Sequence, residues 1–444
     1  EDDEASVTVS VGTPAACGAA ATLVSAVQGS GAASPLPDNT GVVIEGVVVG
    51  DFQTNAGLRG FFLQEEDTDV DGNVATSEGI FVYDGSTPAW DVNVGDVVRV
   101  TGEVYEYNDL TEITNVTEVL PCGTGTATAA TITLPVATLD VWEQYEGMLV
   151  TIPQTLYATS NYTQGRYGEV DLSINGKLDN PTNVVAPGAA ANALRDLNDR
   201  SRIQLEDGRT VSNPDPAPYI GVDNTLRTGD TIPSLTGVLN YAYGAYEIHP
   251  TGPISFTRVN ARPTTPPNVG GTVKIASFNV LNYFTTLDTG ASICGPSGTL
   301  GCRGANTADE FIRQYTKIVS AITAMDADVI GLMEIENHPA DAALTDLVNR
   351  LNASAGAGTY AAISTGTIGT DAIKVALIYK PATVTPLSAY AILDSSVDAS
   401  FNDSKNRPVL AQSFTDNASG EVFTVAVNHL KSKGSDCLDV SDPD

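Results

Sequence analysis

Three polar residues each close an apolar, strand-like run. Asn279 ends Lys274-Ile275-Ala276-Ser277-Phe278-Asn279, with Leu281-Asn282 close behind. Glu334 ends Asp328-Val329-Ile330-Gly331-Leu332-Met333-Glu334. His429 follows Val422-Phe423-Thr424-Val425-Ala426-Val427-Asn428. A carboxylate at the end of a buried strand is costly unless it is paired or holds a cation. In open α/β sheets, ligands bind beyond the carboxyl ends of the strands. Asn, Glu and His delivered there suit a hard divalent cation that polarises a phosphoester. Each has a plainer reading alone, Asn279 as a turn residue and His429 as a structural histidine. Glu336 points to the same side as Glu334 and is its rival. Lys431 and Lys433 stand behind His429 in a chain with few cations, and Asp371 precedes a strand on the rim of the same region.

A second constellation lies far upstream. Asp67-Thr68-Asp69-Val70-Asp71-Gly72-Asn73-Val74-Ala75-Thr76-Ser77-Glu78 matches the D-x-D-x-D-G-x5-E pattern of calcium loops. Short carboxylates at alternate positions converge, Gly permits the turn, and a longer acid closes the shell. Asp67, Asp69, Asp71, Asn73 and Glu78 are the expected calcium ligands, in a structural role because strands flank the loop. The plainer reading is an acidic hairpin tip.

The elements that must place these groups divide the chain. Residues 1–35 are a small, polar lead-in. Residues 36–128 carry alternating strands Val42–Val49, Phe61–Gln64, Ile80–Tyr83, Val97–Tyr105 and Thr111–Leu120, parted by Gly/Asp turns, and predict a small OB-like barrel. Residues 129–258 repeat the style and predict a second such barrel, with an insertion over 179–218. Residues 259–271 hold three prolines and read as a linker. From 272 to 444, strands alternate with helices. Thr307-Ala308-Asp309-Glu310 predicts a capped helix start, a second helix falls near 340–352, and a strand runs Lys374–Tyr379. The fold class is multidomain: all-β OB-like barrels, then an α/β sandwich domain.

Composition limits the partners. The 444 residues carry 22 Lys+Arg against 54 Asp+Glu, a net charge of −32, so long-range attraction of nucleic acid is excluded and phosphate contacts must be local. No apolar run approaches the ~18 residues of a membrane span. Cysteines lack metal-type C-x-x-C spacing. Cys17 with Cys122, and Cys294 with Cys302, suggest disulfides of an exported protein, leaving Cys437 over. The missing leader at Glu1 fits a processed secreted, extracellular or periplasmic chain.

The motifs at Ser277–Asn282 and Gly331–Asn337 resemble those of the endonuclease/exonuclease/phosphatase superfamily. The whole arrangement resembles secreted bacterial extracellular nucleases with barrel domains ahead of the catalytic domain. The resemblance implies Glu334 as a magnesium (or manganese) ligand, Asn279 near metal-bound solvent or phosphate, and His429 on the scissile phosphate. It implies Arg407, in Asn406-Arg407-Pro408, as a phosphate contact, since its planar fork meets two oxygens at once. Asn337, Asp371, Lys431 and Lys433 would be substrate-binding. The substrate would be DNA, with RNA a further candidate, and the protein a monomer. The superfamily's later Gly-Asp-x-Asn and Ser-Asp-His segments do not occur after His429. The resemblance therefore implies an incomplete fold and catalytic set, inactive alone. Two alternatives stand beside the nuclease reading: a phosphatase or phospholipase of the same superfamily, and a calcium-bound adhesion or carbohydrate-binding protein with a degenerate α/β domain.

Overall fold

The computed structural model describes residues 16–221 and 224–432. Lys433 and Cys437 lie outside the described residues. The chain divides into two compact units, Glu1–Arg262 and Pro263–Asp444.

The first unit opens with α1 (Val24–Gln28) and strands β1 (Gly41–Phe52), β2 (Gly60–Gln64), β3 (Gly79–Tyr83), β4 (Asp96–Tyr107) and β5 (Leu110–Thr124). β1 pairs with both β2 and β4, β2 with β3, β3 with β5, and β5 with β4, so the ladder closes on itself. Alternation places Ile44, Val48, Phe61, Leu63, Val98, Val100 and Ile113 inside.

The second block is built differently from expectation. β6 (Ala130–Thr131), β7 (Leu149–Ile152), β8 (Leu156–Ser160), β9 (Val170–Ser173), β10 (Arg202–Leu205), β11 (Thr231–Ile232), β12 (Leu235–Ala242) and β13 (Ala245–Pro250) form one sheet of order β11-β8-β9-β10-β13-β12-β7-β6. Its two ends differ, so the predicted second barrel is corrected to an open sheet. The 179–218 stretch supplies α3 (Pro181–Val184), α4 (Ala189–Arg200) and β10, while α2 (Gln164–Tyr167) lies earlier. Within this unit the ring and the sheet share an apolar seam of Val49, Phe62, Phe81, Leu110 and Val238. Gly79 and Gly147 meet backbone to backbone there, where a Cβ on Gly79 would sit 2.3 Å from the Gly147 carbonyl carbon.

The second unit holds β14 (Ile275–Tyr283), β15 (Ser292–Cys294), β16 (Leu300–Gly301), α5 (Ala308–Met325), β17 (Val329–Glu336), α6 (Ala342–Ala355), β18 (Ala361–Ala362), β19 (Ile373–Tyr379), β20 (Val384–Leu393), β21 (Arg407–Asp416) and β22 (Val422–His429). Thr307 and Glu310 cap α5 reciprocally. One sheet runs β14-β17-β19-β18, and a second β20-β21-β22. Period-two alternation decides what each face covers. Ile330, Leu332, Ala376 and Ile378 meet Ile318 and Ile322 of α5 and Leu344, Leu347 and Leu351 of α6. Val329, Val375 and Leu377 meet Leu410, Phe414 and Val427 of the other sheet. The unit is thus helices on sheet on sheet. The strand–helix alternation predicted from the sequence stops at β19, after which three antiparallel strands follow without a helix.

Candidate active site

β14 and β17 run parallel in register from Ile275↔Val329 to Asn279↔Met333, then slip. The β17–β19 ladder breaks at the same level, between Leu332 and Ile335. Leu281, Asn282 and Glu334 take positive φ at these breaks, 51°, 51° and 66°. Bulges re-aim side chains, and a non-glycine in this region costs on the order of 1–3 kcal/mol unless its surroundings hold it. Here they do. Asn279 Nδ2 donates to Glu334 Oε1 at 2.9 Å, and the Asn282 N–H donates to Oε2 at 3.1 Å. Asn279 Oδ1 accepts from the Leu281 N–H at 2.8 Å, and Gln314 of α5 donates to the Leu281 carbonyl at 2.6 Å.

His429 arrives from the other sheet. Gly331 of β17 faces β22, where an added Cβ would come within 2.9 Å of Val427 Cγ2, so glycine lets β22 lie close. His429 Nε2 then stands 3.7 Å from Glu334 Oε1. Burial, and next the Arg407 charge, hold His429 below the ordinary histidine range; Glu334 and Asp371 oppose them. Arg407 pairs with His429 across β21 and β22. Its Nε and Nη2 donate to Asp371 Oδ2 at 3.0 and 2.8 Å. Asn279, Glu334 and His429 therefore converge, with Arg407 and Asp371 alongside.

The expected role of Asn337 changes, and the places of Glu336 and Lys431 become visible. Asn337 is fully buried and not a substrate contact: its amide donates to the Ile368 and Asp371 carbonyls at 2.7 and 2.9 Å and accepts from the Ile368 N–H. It shapes the loop that presents Asp371. Glu336 is buried too, accepting from the Thr285 N–H and hydroxyl at 2.9 and 3.0 Å, which leaves Glu334 as the outward carboxylate. Lys431 is tied through its backbone N–H to Asn406 at 2.8 Å. Sequence reasoning missed Arg303, which joins Asp371 at 2.8 Å; its place directly after Cys302 was the available signal.

In the acidic loop the expected calcium ligands Asp67, Asp71, Asn73 and Glu78 are hydrogen-bonded within the protein. Both Asp67 oxygens accept from Thr128, at 2.8 and 2.5 Å. Asp71 accepts from the Asn73 N–H and the Thr76 hydroxyl, Asn73 from the Ala75 N–H, and Glu78 from the Asp71 N–H. Short polar side chains in a tight turn cap their own backbone. Among the described residues, the acidic group gathered within 4.8 Å is Glu65, Glu66 and Asp69, which shares only Asp69 with the expected five. Two disulfides join Cys17 to Cys122 and Cys294 to Cys302. Among the described residues, no helix is long and apolar enough to cross a membrane.

Glu334 is the group at this cluster that could hold a divalent cation. Its half-buried carboxylate has His429 as its ion-pair partner among the described residues, and that ring is held toward its neutral form. Arg303 and Arg407 are both engaged by Asp371. Both Glu334 oxygens accept N–H groups, from Asn279 Nδ2 and the Asn282 backbone, which orients the carboxylate that could hold a cation.

Residues 123–260 match the family described as a domain of unknown function, DUF8508, over the open sheet of the first unit. No curated protein matches the chain in sequence. Several solved structures are similar to part of it. The human Nocturnin catalytic domain with bound sulfate is 17% identical over 36% of this chain and 50% of its own, at a TM-score of 0.24. An endonuclease/exonuclease/phosphatase from Bacteroides vulgatus is 18% identical over 36% of this chain and 52% of its own, at 0.23. A Bacteroides thetaiotaomicron protein of that family is 17% identical over 35% and 49%, at 0.24. The chain spans about half the length of these structures.

Proposed function

We propose that the second unit is the metal-dependent phosphodiester-hydrolysing part of a secreted nuclease acting on DNA. The observation that carries this reading is the convergence of Asn279, Glu334 and His429 at paired bulges, around a carboxylate whose ion-pair partner among the described residues is His429. When bound, a divalent ion supplies Lewis-acid polarisation of a phosphoryl oxygen. Glu334 would hold it, oriented by Asn279 and the Asn282 N–H. His429 would donate its ring N–H to a phosphate oxygen held beside Glu334. Arg407 would bring a guanidinium to the phosphate with Asp371 fixing its plane. Two disulfides support an oxidising compartment. The closed five-strand ladder, read as OB-like, would sit ahead of the catalytic unit as a spacer or a strand-binding platform.

The test is manganese binding followed by electron paramagnetic resonance, with plasmid DNA and a panel of small phosphomonoesters as substrates. Glu334→Gln should remove the bound-metal signal and any diester cleavage. Manganese bound undiminished in the variant overturns the reading. Cleavage confined to monoesters moves it to a phosphatase.

A further inference from the structure

Arg303 is placed with more care than a surface arginine needs. It follows Cys302, whose disulfide to Cys294 is buried against Phe284, Ala372 and Ile373. It precedes Gly304, where an added Cβ would come within 2.5 Å of Phe284 Cβ. The cross-link on one side and the close approach on the other fix the backbone. The apolar cluster also includes Ala372, the residue after Asp371, so both ends of the Arg303–Asp371 pair hang from one anchor. Arg303 Nη2 lies 2.8 Å from Asp371 Oδ1, while Arg407 Nη2 lies 2.8 Å from Asp371 Oδ2. One carboxylate thus aligns two guanidiniums and neutralises one of them. The remaining positive charge faces solvent in a chain of net charge −32. Arg303 is the outer group, with its side chain 43% exposed against 22% for Arg407.

An exposed ion pair alone is worth little, which makes a purely stabilising role a poor return for a buried cross-link. We propose that Arg303 is a phosphate-contacting residue for a second phosphate of the substrate, next to the one met by Arg407. The site then selects chains with consecutive phosphodiesters over compounds with a single phosphate, and the Cys294–Cys302 disulfide is its positioning device. This rests on the function proposed above and adds the substrate class.

The experiment measures fluorescence anisotropy of a 12-residue single-stranded phosphorothioate DNA, and of a dinucleotide with one such linkage, in magnesium across a salt series. For Arg303→Gln, the 12-mer should bind roughly tenfold more weakly, the size of one charge-assisted contact. The salt slope should fall by about one, and dinucleotide binding should hold within twofold. Arg303→Lys should keep the salt slope. Opening the disulfide with Cys294→Ser and Cys302→Ser should reproduce Arg303→Gln, which keeps the proposal testable if one variant misfolds. Unchanged 12-mer affinity and slope overturn the proposal and leave the metal site standing. Equal weakening of both probes overturns it in favour of a role through Arg407. A wild-type protein that binds neither probe overturns both this proposal and the nuclease reading.

Discussion

Asn337 illustrates how a polar residue beside a site can serve the scaffold instead of the substrate. Its amide satisfies the Ile368 carbonyl and N–H and the Asp371 carbonyl in a fully buried setting. Asn337→Ala strands those groups, and an unmet buried polar group costs ~1–3 kcal/mol. The variant should lose about that much stability in denaturant unfolding of the second unit, with Arg407 and Asp371 misplaced as a consequence. A substrate contact would show the opposite pattern, weaker binding at unchanged stability. The sequence placed Asn337 beside the motif but could not show that its side chain points inward. Strand ends alternate direction, and the bulge at Glu334 resets the alternation for the residues after it.

At the level of elements, the second unit depends on how closely β22 lies against β17. Gly331 sets that distance. Gly331→Ala drives a methyl to within 2.9 Å of Val427, and overpacking of this kind costs ~1–3 kcal/mol. The expected outcome is a lower unfolding midpoint together with weaker metal binding, because the sheet that carries His429 is pushed from Glu334. Metal affinity unchanged at lowered stability would separate the two sheets from the site. These strands were legible because apolar runs ending in Asn279, Glu334 and His429 have few other readings. The capping box at Thr307 and Glu310 likewise placed α5. β20 was not legible: Val384–Leu393 is largely exposed and mixes Pro, Ser and Thr with apolar residues, so no period stands out. The open sheet of the first unit was read as a barrel because short alternating strands look alike whether a ladder closes or runs on. Closure is decided by pairings between distant residues, such as the parallel Gln204↔Glu247. The acidic loop was legible as a turn, and its carboxylates cap the loop's own backbone.

For the molecule as a whole, the acidic composition reaches into the core of the first unit. Burial, and then the nearby Glu106 charge, push Glu112 up to about 7. Burial also brings Glu65 to about 7, opposed by the Val24 N–H and reinforced by Glu78. Glu146 is raised well above its ordinary value, chiefly by burial. His249 is fully buried, with Nδ1 3.0 Å from Glu206 and Nε2 3.1 Å from Glu247. Burial opposes its charge, but the two glutamates win and raise it to about 9. All of these folded values lie above the unfolded ones. The glutamates' contribution is present below pH about 4.5 and is lost as pH rises through 7. That of His249 is present below about 6.5 and is lost as pH rises through 9. The first unit should therefore melt at progressively lower temperature from pH 5 to pH 9. Both tryptophans, Trp90 and Trp142, precede Arg262, so their fluorescence reads this unit without the other. A midpoint that is flat or rises across that range contradicts the assignment.

The bond between Cys17 and Cys122 encloses β1 to β4 and the acidic 67–78 loop in one covalent circle. A protease that severs the chain anywhere along that loop opens the circle without releasing a piece. Such a protein travels as a single species until a reductant is added, and hidden nicks of this kind need not end its working life.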